Sequence, residues 1–244
     1  HCYTVDIADM EACDKLVADI EKDLGNVDIL INNAGRSIRR SVDMAYDRFH
    51  DFERTMQLNY FGALRMILRV LPGMTAQKRG HVINISSLGV LNHPPRFSAY
   101  VASKSALEAF SICAASEFSD KHIHFTNINM PLVRTEMIAP TKIYQYAPAL
   151  EVGEAVDLVV EAVINKPKRV ATGMGKFLSV MGALFPKFVE IANNATYRLE
   201  AEQAQRRKLS ARIIAEAVGT MLTHSRQRRL TDEDTQSTAL EQLR

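Results

Sequence analysis

Apolar residues recur at helical spacing through Ala12, Leu16, Val17, Ile20 and Leu24, behind Asp9, a suitable N-cap, and ahead of Gly25, a suitable terminator. This pattern predicts a first helix. Val27 to Ile31 reads differently, as a short apolar run closed by Asn32. Such a run predicts a parallel strand covered on both faces. A long helical pattern follows from about Asp51 to Ala76, with an interruption expected at Pro72-Gly73. Beyond it the chain predicts a strand at His81 to Ser86, a loop around His93-Pro94-Pro95, a helix from about Ala99 to Ser119 and a strand at His122 to Asn129. Val152 to Ile164 is helical again, and Arg169 to Thr172 suits a final strand. Strands alternating with helices predict an α/β fold, a doubly wound parallel sheet with right-handed crossovers. Ligands of such sheets bind at the carboxyl ends of the strands, where Asn32 to Gly35, Ser87 and the segment after Asn129 fall.

The pattern changes after about residue 175, which divides a sheet domain (1–175) from a C-terminal helical extension (176–244). Phe177, Met181, Leu184, Phe188 and Ile191 share one helical stripe, broadened by Val180, Phe185 and Val189. Three roles suit it: a helix covering the sheet or a subunit contact, a lid over an apolar substrate, or an interfacial membrane helix. The tail from Glu200 carries Arg206-Arg-Lys208 and Arg226-Gln-Arg-Arg229, then Asp232-Glu-Asp234, and reads as a solvated helix with a frayed end. Its arginines leave a peripheral contact with anionic lipid open.

At 244 residues the chain has room for one α/β domain with a well-buried core. A formal net charge of +2 argues against a nucleic-acid partner. Three cysteines, Cys2, Cys13 and Cys113, form no CxxC pair and suit a reducing, cytoplasmic compartment. No metal-ligand spacing is present. No apolar run approaches the roughly 20 residues of a membrane span.

The chemistry concentrates at Tyr100 and Lys104, four apart in Tyr-Val-Ala-Ser-Lys, with Ser87 thirteen positions earlier at a strand end. On a helix the tyrosine and lysine share a face, so the ammonium is expected to favour the phenolate. A serine hydroxyl can donate and accept, which suits holding a carbonyl oxygen where the phenol can protonate it. Alone, a YxxxK pair is weak evidence, since most such pairs are solvated. Together with Asn32-Asn33-Ala34-Gly35 and Asn59, in this order, it resembles the short-chain dehydrogenase/reductase family, from about residue 3 to about residue 175.

The resemblance implies a Rossmann-like fold and an NAD(P)-dependent oxidoreductase, with NADP favoured and NAD the alternative. It implies that Tyr100 protonates a carbonyl oxygen, Lys104 tunes the phenol and holds the nicotinamide ribose, Ser87 orients the carbonyl and Asn59 holds a water linking the lysine to solvent. Asp6 and Ile7 resemble the pair that contacts the adenine, and Asn33, Ala34 and Gly35 the turn along the adenosine ribose. Asn129-Met-Pro-Leu-Val-Arg-Thr135 departs from the family's proline-glycine turn, yet keeps Val133 and Thr135 in register for the carboxamide. Residues 2–9 resemble the third strand and its turn, and no segment matches the glycine-rich pyrophosphate turn of the first βαβ unit. An N-terminally truncated member of the family is therefore expected. The stretch from Pro131 to Tyr144 is similar to bacterial reductases that turn fatty acyl-CoA into aldehyde, implying a small-molecule carbonyl or acyl-thioester substrate. A homo-oligomer is also expected. A ketone or alcohol dehydrogenase of the same fold, or a non-catalytic domain of a longer polypeptide, are the competing readings.

Overall fold

The computed structural model describes residues 1–136, 138, 144 and 147–201. The basic and acidic runs expected in the tail lie outside the described residues, as does most of the stretch from Met137 to Tyr146. Helix α1 is Met10–Leu24; the Asp9 carboxylate accepts the N–H groups of Glu11 and Ala12 at 2.9 and 3.1 Å, and Gly25 ends it at φ 83°. Strands β1 (Ile29–Asn32), β2 (Gly80–Ile85), β3 (Ile123–Asn129) and β4 (Arg169–Ala171) form one parallel sheet in that order. Helices α2 (Phe49–Met56), α3 (Ala63–Gln77), α4 (Gly89–Asn92), α5 (Ser98–Glu117), α6 (Val152–Asn165) and α7 (Gly173–Leu184) complete it.

Helices lie on both faces of the sheet. On one, Cys13, Val17, Ile67, Val70, Met74 and Leu107 pack over Val82 and Phe125. On the other, Ala162 of α6 packs with Ile83, Ile128 and Val170. The crossovers between parallel strands require this arrangement.

Three local expectations need correction. Strand β1 is not covered on both faces: it stands at the sheet edge, with Ile29 and Ile31 42% and 43% exposed. Residues 1–6 form no strand and lead into a turn at Ile7 and Ala8, because no described strand borders them to complete a hydrogen-bonded ladder. Finally, α3 runs unbroken through Pro72, held by the burial of Val70, Leu71 and Met74. The irregularity lies upstream, where Gln57–Gly62 widens into a π-helical turn between α2 and α3.

Helix α7 packs on α4 through Gly175, where a methyl group would lie 2.9 Å from Leu88 Cδ1. The opposite side of α7 leaves Met174, Phe177, Val180 and Leu184 exposed. Chain packing separates His1–Glu190 from Ile191–Arg244 as two compact units. Residues 186–201 are helical. Among the described residues no helix is long and apolar enough to cross a membrane.

One buried group gives the fold a pH dependence. His81 on β2 is 2% exposed and burial, with His124 and Lys166 nearby, brings its pKa down to about 4. The folded protein therefore keeps the imidazole neutral while the unfolded chain protonates it near the ordinary value of about 6.5. Stability is expected to fall as pH drops from about 6.5 to 4, by on the order of 3 kcal/mol at most. Urea unfolding at stepped pH checks this, and His81→Gln should flatten the fall in that window.

Candidate active site

Helix α5 lies on the end of β2 through a seam of polar contacts. Asn84 Nδ2 donates to Ser111 Oγ at 2.6 Å, Lys104 Nζ donates to the Ile85 carbonyl at 2.7 Å, and the Ser86 hydroxyl donates to Glu108. The fourth contact joins Ser87 to the phenol of Tyr100. Residues 100, 104, 108 and 111 fall on one helical face, and residues 84 to 87, at the end of β2 and just past it, meet 111, 104, 108 and 100 respectively. The seam thus brings Ser87, Tyr100 and Lys104 together, as the sequence predicts.

Electrostatics differ from the expectation that the ammonium lowers the phenol. Burial pushes Tyr100 up, and the Ser87 hydrogen bond opposes it. Burial likewise brings Lys104 down to about 8, because its Nζ has a carbonyl rather than a carboxylate to compensate lost water. At neutral pH this leaves a protonated phenol, the form that can give a proton to an oxygen.

The turn after β1 closes the site from a second side. Asn32 Nδ2 donates to Asn84 Oδ1 at 2.8 Å, while Asn33 folds back so that its N–H reaches the Ile31 carbonyl at 3.1 Å. Ala34 follows, and Gly35 then passes so close that a Cβ there would lie 3.3 Å from both Asn59 Oδ1 and Lys104 Nζ. Asn59 sits within the π-helical turn, 1% exposed. Its Oδ1 accepts the Arg36 N–H at 2.8 Å, and its Nδ2 donates to the Arg36 carbonyl and to Ser103 Oγ at 2.8 and 2.9 Å. Both amide donors are spent on these contacts, so the side chain clamps the loop beside Gly35. The same loop is pinned further on by Asp51, whose carboxyl is held down to about 2: burial raises it, but hydrogen bonds from Arg54, Arg48 and Arg40 prevail.

Asp6 and Ile7 lie in the turn before α1. The Asp6 carboxylate accepts the Ala8 N–H at 2.9 Å, and Gln57 Nε2 of the π-helical turn donates to the Ala8 carbonyl at 2.8 Å. Gly62 has no Cβ because the Ile7 carbonyl occupies that position, so this turn rests directly on the helix. After β3, Val133 bridges Leu150 in parallel and Thr135 Oγ1 donates to the Val133 carbonyl at 3.4 Å. Both lie on the loop leaving the carboxyl end of the sheet.

The sequence reading missed Glu108, Ser111, Asn84 and Gly62. Residues 100, 104, 108 and 111 repeat at helical spacing, but Ser98, Ser103, Ser105 and Ser116 interleave with them on the same helix, so the pattern did not single out Glu108 or Ser111.

A family model for short chain dehydrogenases matches residues 1–144. The chain belongs to this family. That places it among NAD(P)-dependent oxidoreductases. A fatty acyl-CoA reductase of Acinetobacter baylyi is 54% identical over 197 residues, 81% of this chain and 67% of the relative. A fatty acyl-CoA reductase of Mycobacterium tuberculosis is 46% identical over 75% of this chain and 63% of its own length. An uncharacterised oxidoreductase of Mycobacterium bovis is 43% identical, and the chain spans only 58% of its length. Among solved structures, a short-chain dehydrogenase of Streptomyces avermitilis aligns with a TM-score of 0.66 at 25% identity, over 82% of this chain and 80% of that one. One of Burkholderia cenocepacia, solved in complex with NADP, gives 0.67 at 24% identity, over 78% and 76% of the two chains.

Proposed function

We propose that this chain carries the catalytic residues of an NADP-dependent reductase acting on long-chain fatty acyl-CoA or fatty aldehyde, with NAD the alternative cofactor. The observation behind the chemistry is the meeting of Ser87 with the Tyr100 phenol one helical turn from the buried Lys104, with burial favouring the protonated phenol. In this reading Ser87 holds the carbonyl oxygen and Tyr100 gives it a proton as hydride reaches the carbonyl carbon. Bound nicotinamide supplies that hydride. The residues present fit the nicotinamide-ribose end of such a cofactor: Gly35 leaves the approach to Lys104 open where any side chain would fill it. In this reading Val133 and Thr135 meet the carboxamide, and Asp6, Ile7, Asn33 and Ala34 the adenosine end. The substrate class rests on the relatives named fatty acyl-CoA reductase and on the exposed apolar side of α7.

The test is turnover of long-chain acyl-CoA and aldehyde by the full-length enzyme with NADPH and NADH. Reduction of short ketones alone would favour the competing ketone or alcohol dehydrogenase. Lys104 gives the cofactor reading its own check. Its ammonium is lost as pH rises through about 8, so cofactor affinity is expected to weaken across that range. Lys104→Met should bind about 10-fold or more weakly below pH 8 and lose that pH dependence. Calorimetry at stepped pH measures both, and an unchanged affinity in the variant would remove the ribose role.

A further inference from the structure

Glu108 is a carboxylate buried to 3% exposure, two helical turns past Tyr100, and the proposed chemistry gives it no part. It is nevertheless the joint of four elements. Its Oε1 accepts from the Ser86 hydroxyl and from Asn129 Nδ2, the latter at 2.5 Å, while Oε2 accepts from Arg169 Nη2 at 3.1 Å. Asn129 Nδ2 also donates to the Ser87 carbonyl at 3.2 Å. One carboxylate on α5 therefore holds the side chain before Ser87, the side chain bonded to the Ser87 backbone, and the first residue of β4.

The consequence is geometric. Tyr100 and Lys104 are fixed by α5 itself, whereas Ser87 stands past the last residue of β2, where the strand gives way to the loop before α4. Strand pairing ends at Ile85 opposite Ile128, and two backbone bonds carry the contact with the β3 segment further, from the Ser86 N–H to the Ile128 carbonyl and from the Leu88 N–H to the Met130 carbonyl, both at 2.9 Å. Ser87 lies between these two bonds, and the side chain of β3 that reaches its backbone is Asn129, whose Nδ2 donates to the Ser87 carbonyl at 3.2 Å. We infer that Glu108 is a positioning residue that fixes Ser87 opposite Tyr100 by gripping Ser86 and Asn129 at once. An isolated buried carboxylate would be costly, and here three donors compensate it, two of them aimed at the serine's own backbone neighbourhood.

This inference rests on the proposed role of Ser87, and a double-mutant cycle separates the two. Ser87→Ala, Glu108→Ala and the double variant are compared with the parent in the full-length enzyme, using a long-chain aldehyde and NADPH, with rates expressed per folded molecule. Glu108→Ala is expected to lower kcat about 30-fold, since displacement of about an ångström at a reacting group has effects of this order, with little change in KM for NADPH. In the Ser87→Ala background the same change should cost less than about 3-fold, because the group it positions is already gone. Glu108→Gln keeps an oxygen for Ser86 and Asn129 and gives up only the Arg169 contact, so it should restore most of the rate. Should Glu108→Ala fail to fold, Ser86→Ala removes the nearer half of the grip and is expected to show the same non-additivity at smaller size. If Ser87→Ala itself turns over normally, the proposed chemistry fails. If Ser87→Ala is impaired but the Glu108 effect, or that of Ser86→Ala where it stands in, is equal in both backgrounds, the positioning role is overturned.

Discussion

Replacing Tyr100 by phenylalanine in the full-length enzyme is expected to lower turnover by about 100-fold or more while leaving the fold intact. The ring's edge contact with Phe97, at 6.4 Å between centroids, is kept, and only the hydroxyl bonded to Ser87 is removed. The proton given to the carbonyl oxygen must then come from water, with no group placed to deliver it. The burial that pushes the phenol up also sets the sign of the pH dependence: reduction needs the protonated form, so its rate should fall only as pH rises past the ordinary tyrosine range of about 10, unless Lys104 limits it earlier near 8. Steady-state rates of the parent and variant at matched saturation by cofactor measure the loss. Turnover of the variant within about 3-fold of the parent would take the proton-donor role from Tyr100.

Ser87, Tyr100 and Lys104 were legible in the sequence because their residue types and offsets are carried by one strand end and one helix, both set by local pattern. Glu108 was not, although it lies on the same face. A glutamate on a helix reads as solvated until tertiary packing shows three donors closing over it. The π-helical turn was equally hidden, since one extra residue in a turn scarcely alters a hydrophobic period. Proline and glycine at 72 and 73 offered a more visible breaker, yet the core contacts of α3 outweigh the one backbone bond that Pro72 forfeits. The apolar run ending at Ile31 predicted a strand correctly and its burial incorrectly, because composition reports what a strand can bury and not which neighbours cover it. The sheet order, which leaves β1 at an edge, decides that.

Exposed apolar surface on α7 leads to the second large effect. Gly175 seats the helix against α4, which follows Ser87 within two residues, so α7 borders the segment that carries the proposed carbonyl-holding serine. Its other side presents Phe177, Val180 and Leu184, with Phe185 next in the chain 54% exposed. If a substrate chain lies along this side, each buried methylene contributes about 0.8 kcal/mol at most, or up to about 4-fold in kcat/KM. Efficiency in the full-length enzyme should then climb by more than about 100-fold between short and long acyl chains. Phe185→Asp places a charge where that chain would pass and removes an apolar ring, while standing well outside the Ser87, Tyr100 and Lys104 contacts. It is expected to flatten the climb and to leave short substrates unaffected. A series of acyl-CoA thioesters and aldehydes of increasing length, assayed with NADPH for parent and variant, measures the slope directly. A flat profile in the parent, or equal losses at every length in the variant, would assign the apolar side of α7 to packing against protein instead of substrate.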